Sequence, residues 1–316
     1  MMSNYDLFYR EELGIEDLDK SHYDVFISAY NKAERVMSAF DASSADKKIW
    51  LLQPEYEVDI KPLSGEHIYT SSAVCDEASF VRGFWNDYES DLIGKKVCVD
   101  ITGFIRPTLL FLIRFFYAKG LTSFDLIYSE PDSYSQGEST RFASKEVVEV
   151  RTVEGFSGTH NVDTSQDILI VGVGYDHHLI SRVAENRDHA RKYQLFGFPS
   201  LRADMFQENL LKVSKSEEYL GSISQQSSSA LFAPAYDPFS TALEISKVVR
   251  DEQKKNGISN LYLSPLSSKP QTVGFALYYI LECIDTPVSL IFPFCERYNP
   301  STSVGISRIW KYVIEL

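Results

Sequence analysis

Apolar and polar positions along this chain run through two matching cycles. In the first, Tyr23 to Ser28 is an apolar run of strand length, and Ala33, Val36, Met37 and Phe40 recur at helical spacing. Ile49 to Leu52 predicts a second strand, and Phe80, Val81, Phe84, Trp85, Tyr88 and Leu92 an amphipathic helix reaching Ile93. Val97 to Ile101 is continuously apolar, the pattern of a strand covered by helices on both faces. Thr108 to Lys119 predicts a helix that Gly120 ends, and Phe124 to Tyr128 a strand. The second cycle predicts strand 167–171, helix 178–190, strand 193–197, a helix around 203–213, helix 238–253, strand 260–263, helix 271–284 and strand 288–292. Residues 1–20 read as a helical or irregular lead-in, residues 53–75 as polar and irregular, and 222–229 as a Ser/Gln-rich loop. Residues 131–165 interrupt the rhythm. Within them, 147–153 alternates like a strand, either an antiparallel edge or a hairpin joining the halves.

The landmarks of the two cycles correspond. Asp24 opens one and Asp167 the other, and Lys48 and Lys192 follow at nearly the same offset. Strands alternating with helices argue for parallel sheets built from right-handed crossovers. The expected fold class is therefore α/β, with two duplicated Rossmann-like units, mainly parallel sheets and a pseudo-twofold arrangement. The expected division is an acidic N-terminal extension at 1–21, a first unit at 22–131, a polar insertion or linker at 132–165, and a second unit at 166–316. Small ligands favour the seam of such a pair.

Composition narrows the function. A length of 316 residues suits two domains, and a net charge of −13 argues against a general nucleic-acid surface, which needs many cation–phosphate contacts. Residues 1–20 carry six acidic side chains, from Asp6 to Asp19, read as a solvated extension or as a tail docking on a basic partner. The polar, acidic start shows no secretory pattern, and the most apolar stretch, Leu109 to Phe116, is short and holds Arg114. Cys75, Cys98, Cys283 and Cys295 form no CxxC pair. Reduced thiols, a cytoplasmic location, no membrane association and no metal site are expected.

The sharpest chemical signal is the junction after strand 97–101 of the first cycle and after strand 260–263 of the second. Asp100-Ile101-Thr102-Gly103-Phe104-Ile105-Arg106-Pro107 and Ser264-Pro265-Leu266-Ser267-Ser268-Lys269-Pro270 each place a cation and a proline at a helix start. Amides of a first turn attract anions, and Arg106 or Lys269 adds full charge. Asp100, Thr102, Gly103, Arg106, Ser264, Ser267, Ser268 and Lys269 are therefore candidate ligand contacts. Gly172 and Gly174, in Val171-Gly172-Val173-Gly174, join them as part of a glycine turn, and Arg297 as a rim residue. Asp176 and His177, beside His178, are the candidates for proton transfer. Tyr236 and Asp237 either pack or contact a base and ribose.

The stretch Asp100 to Gly103 after a hydrophobic strand, followed by a basic, proline-bearing helix start, resembles the fourth-strand motif of CRISPR-associated Rossmann-fold (CARF) domains. Two such units in one chain resemble the SAVED sensor of bacterial anti-phage systems. The likeness covers Val99 to Pro107 and the overall duplication. The second cycle departs from it, with Ser264-Pro265-Leu266-Ser267 in place of the Asp-Ile-Thr-Gly stretch. The resemblance implies sensing of a cyclic oligonucleotide. No nuclease, protease or TIR effector accompanies it, so a partner from the same operon is expected. The function expected is recognition of a small nucleotide-like anion at the seam of the two halves, within a defence system. The alternatives are a nucleotide hydrolase or glycosyl transferase using Asp176, His177 or Asp100, and a ligand-free scaffold. No cofactor is indicated.

Overall fold

A computed structural model describes residues 5–56, 67–71, 75–134, 147–174, 176–202, 205, 207, 229–295, 297–298 and 303–316. The predicted helix around 203–213 and the loop at 222–229 lie almost wholly outside them. The strands are β1 (Arg10–Leu13), β2 (His22–Ala29), β3 (Ser44–Leu52), β4 (His67–Thr70), β5 (Val97–Asp100), β6 (Ser123–Glu130), β7 (Ser133–Tyr134), β8 (Val147–Thr152), β9 (Ile168–Gly172), β10 (Arg191–Gly197), β11 (Ala230–Ala233), β12 (Leu261–Pro265), β13 (Val288–Cys295), β14 (Ser303–Val304) and β15 (Arg308–Glu315). The helices are α1 (Glu34–Ala42), α2 (Glu77–Leu92), α3 (Arg106–Ala118), α4 (His177–Asn186), α5 (Pro238–Lys255) and α6 (Lys269–Glu282). The chain is α/β, with two mixed, mostly parallel sheets.

It divides into two compact units. A first-half unit comprises Phe8–Lys145 and Glu296–Leu316, and a second-half unit Met1–Leu7 and Glu146–Cys295. In the first-half unit the sheet order is β1-β15-β6-β5-β2-β3-β4, with β6, β5, β2, β3 and β4 parallel and β15 antiparallel beside β6. In the second-half unit the order is β11-β10-β9-β12-β13-β8, with the first five parallel and β8 antiparallel beside β13. Each unit thus sets five parallel strands in the spatial order 3-2-1-4-5, with an antiparallel strand against the fifth. β5, β9 and β12 are buried along their whole length, which explains the apolar runs Val97–Val99, Ile168–Val171 and Leu261–Leu263 within them.

The antiparallel strands correct two sequence boundaries. Residues 10–13, expected within a solvated extension, form a sheet strand: β1 pairs with β15, and its acids meet cations there, Glu11 with Lys311 at 3.1 Å and Glu12 with Arg308 at 3.4 Å. Residues 308–315, expected in the second unit, pair with β6 of the first-half sheet along their full length. The segment 147–152 takes the edge form of its two readings, because β13 offers it an antiparallel partner.

The registers align the two units residue by residue. Val25 faces Lys47 and Val97, and Ile168 faces Arg191 and Leu261. The matched residues do the same physical work. Asp24 accepts from the Lys96 amide at 2.7 Å, and Asp167 from the Asn260 side chain at 2.8 Å, each tying strand one to the start of strand four. Lys48 donates to the carbonyls of Phe40 and Asp41 at the end of α1, and Lys192 to those of Asp188 and Ala190 just beyond α4. Lysine there satisfies carbonyls that a helix end leaves without partners. Lys47 pairs with Asp91 of α2 at 2.7 Å, and Arg191 with Glu252 of α5 at 2.8 Å.

Candidate functional site

In the first-half unit the carboxyl ends of β2, β3, β5 and β6 bring together the loop 100–106 and residues from three other places. Asp100 is fully buried at the end of β5. It accepts from the Ser28 hydroxyl and the Thr102 amide, both at 2.9 Å. Burial pushes its carboxyl up, while bonds from Thr102 and Ser28 and the charge of Arg35 pull it down. Thr102 Oγ1 accepts from the Ser129 amide at 2.9 Å. Gly103 lies so close to β2 that a Cβ there would sit 1.8 Å from the Ala29 carbonyl oxygen. Three of the sequence candidates, Asp100, Thr102 and Gly103, are therefore buried and committed to shaping the loop.

The groups around that loop are cationic and aromatic. Arg35, in the first turn of α1, is only 7% exposed. It donates to the Ser129 carbonyl and to the Tyr128 hydroxyl, and its Nε has no partner. No carboxylate pairs with it among the described residues. Arg106 is half-buried at the first position of α3, and its charge, like that of Arg35, acts on Tyr56 and Tyr128. Tyr56 donates to the Gly103 carbonyl at 2.9 Å and accepts from the Asn31 side chain. Burial raises the Tyr56 phenol to about 12 and also lifts Tyr128 and the half-buried Glu55. Gln53 is buried; its Oε1 accepts from the Ile105 amide at 2.8 Å and its Nε2 has no partner. Neither helix start here carries a side-chain cap, since Ala33 precedes α1 and Ile105 precedes α3.

The second-half unit presents the same junctions differently. Gly174 approaches the fourth-strand loop, where a Cβ would lie 1.9 Å from the Leu266 carbonyl oxygen. Gly172 abuts Ser267 and Phe275. The close approach of the two loops, made by Gly103 on the fourth-strand side in one unit, is made by Gly174 on the first-strand side in the other. Asp176 caps α4 by accepting from the His178 amide at 3.1 Å, and the His177 and His178 rings lie tilted by 36° with centroids 4.0 Å apart. Ser268 caps α6, accepting from Gln271 and donating to the Ala235 carbonyl. Ser267 is buried and Lys269 half-buried. Ser264 is wholly buried and its Oγ has no partner. Asp237 caps α5, accepting from the Phe239 and Ser240 amides and from the Ser240 hydroxyl, so it packs rather than contacts a base. Arg297 is exposed.

Arg35, Gln53 and Tyr56 escaped the sequence reasoning. Arg35 sits two residues inside a helix, where a cation reads as an ordinary solvated position. The spacing from strand one to its helix is the same in both cycles, so Ala33-Glu34-Arg35 matches Asp176-His177-His178; that correspondence carried the signal. Among the described residues no group of three His, Cys, Asp or Glu side chains could hold a metal, and no helix is long and apolar enough to cross a membrane. All four cysteines are free thiols, and Cys98, Cys283 and Cys295 are buried. Compared with known protein families the chain matches none, and no curated protein is similar to it.

Proposed function

We propose that this chain is a sensor built from two duplicated Rossmann-like units, binding a nucleotide-like anion at the carboxyl ends of parallel strands. The observation that carries this reading is Arg35. A buried guanidinium that forms no ion pair among the described residues, and has near it only the Asp100 carboxyl that burial drives towards its neutral form, is costly to keep unless an anion neutralises it. It stands with Arg106 at the strand ends where open α/β sheets take their ligands. The matched registers and lysines support the duplication. The CARF-like stretch at Val99 to Pro107 supports a role in a bacterial defence system, working in the cytoplasm with a partner protein. Binding without turnover is favoured because the acidic candidates are occupied: Asp100 by Ser28 and Thr102, Asp176 by the start of α4.

Calorimetry with AMP, ATP and cyclic and linear dinucleotides tests this, with chromatography of the ligand after incubation. Saturable heat with the ligand recovered intact is the expected result. Turnover that disappears in His177→Ala would make the protein an enzyme, and no heat with any of them would make it a scaffold.

A further inference from the structure

Two junctions of the same origin need not keep the same task. The registers make the comparison position by position. Ser28 corresponds to Val171, Asn31 to Gly174, Arg35 to His178, Gln53 to Gly197, Asp100 to Ser264 and Tyr128 to Phe292. Each replacement removes hydrogen-bonding capacity or charge from the second-half unit, and His178 is exposed where Arg35 is buried.

The helix starts differ in the same direction. In the first-half unit α1 and α3 begin after Ala33 and Ile105, which supply no side-chain acceptor to the first-turn amides. In the second-half unit α4 and α6 begin with Asp176 and Ser268, which do. A side-chain oxygen at the N-cap takes up a first-turn amide that an anion would otherwise use. Asp176 goes further, placing a negative charge where an anionic ligand would have to sit. One buried and one half-buried arginine with uncapped helix starts, against capped starts with an acid, are opposite electrostatic designs on one scaffold.

We infer that the anion is held by the first-half unit alone, between Arg35 and Arg106, and that the second-half junction is closed to it. This rests on the anion-binding reading above. The ligand class is a molecule with one phosphate-monoester end. A planar guanidinium suits phosphate oxygens, and the uncapped turns of α1 and α3 add amide donors. Tyr56, half-buried and under the influence of both charges, is the aromatic side chain nearest to hand for an attached ring, while Tyr128, which feels the same two charges, is buried. One such end, not a pair related by symmetry, is the recognition unit.

The test is titration of the whole chain with AMP, with inorganic phosphate as the minimal probe. One AMP per chain is expected, with inorganic phosphate competing weakly for the same site. Arg35→Met and Arg106→Met should each weaken AMP by roughly ten- to hundred-fold, the loss of a charge-assisted hydrogen bond. His178→Met, at the counterpart of Arg35, should leave affinity unchanged, and Arg106→Met serves if Arg35→Met does not fold. Two AMP per chain, or equal weakening by Arg106→Met and Lys269→Met, would overturn the one-sided site while leaving anion binding standing. No saturable heat with either probe would remove both.

Discussion

Ser28 Oγ donates to Asp100 Oδ2 at 2.9 Å, joining the first and fourth strands of one sheet across the ladder that bears the candidate site. In the other unit the facing pair is Val171 and Ser264. Valine offers nothing to the serine, so the Ser264 hydroxyl is buried without a partner. A buried polar group left unmade costs about 1–3 kcal/mol, whereas removing it with its need for a partner is close to neutral. Ser264→Ala should therefore hold or raise the denaturation midpoint. Ser28→Ala should lower stability by about 1–3 kcal/mol, because Asp100 then loses a donor. Equal losses in the two variants, measured by urea unfolding, would contradict this account of the ladder.

Asp100 also sets a pH dependence. Burial, the larger influence, lifts its carboxyl above the ordinary aspartate range, against the pull of Thr102, Ser28 and Arg35. A carboxyl raised on folding keeps its proton longer in the folded chain than in the unfolded one. Its contribution is complete below the ordinary aspartate range and is lost as pH rises through the raised value. Asp100→Asn keeps an acceptor for the Thr102 amide and cannot ionise. Relative to that variant, the wild type should lose stability as pH rises from about 4 towards 7. A difference that stays flat or grows in favour of the wild type over that range would show that Asp100 is stabilised as the anion.

The two close loop approaches predict a matched pair of defects. A Cβ at Gly103 or at Gly174 would collide with the backbone oxygen of Ala29 or Leu266. Backbone cannot swing aside as a flexible side chain can. Gly103→Ala and Gly174→Ala should each cost about 3 kcal/mol or more, the upper end of overpacking effects. Thermal unfolding of the two variants checks it, and a wild-type midpoint in either would mean that its loops are further apart.

Arg35 should show a conflict between stability and binding. Removing a buried cation that has no acidic partner relieves its desolvation, and methionine fills much of the same space. The bond to the Ser129 carbonyl is lost in exchange, at about 1 kcal/mol. Without ligand, Arg35→Met should melt at or above the wild-type temperature, while the same concentration of phosphate or AMP should stabilise the wild type more than the variant. A large fall in the midpoint without ligand would identify Arg35 as a structural tie.

Much of the fold was legible because its determinants are local. Continuous apolar runs announced β5, β9 and β12, and Lys48 and Lys192 stood out as repeat landmarks, although their work at helix ends was not visible. What was missed depends on partners distant in sequence. β15 is a strand because β6, some 180 residues earlier, offers it an antiparallel edge, and β1 exists because β15 does. β4 and β11 are four-residue strands with polar or proline-bearing flanks, too short for alternation to show. The loop 100–106 stood out by its motif, yet Asp100, Thr102 and Gly103 are buried in it; of the groups the proposal relies on, Arg106 closes that loop, whereas Arg35 comes from α1 and Tyr56 from beyond the end of β3.

The most direct measurement is the electron density of crystals soaked with AMP. Phosphate within hydrogen-bond reach of both Arg35 and Arg106, at the starts of α1 and α3, is the result expected. AMP bound at Ser267 to Lys269, or density that places its phosphate away from both arginines, would contradict the assignment.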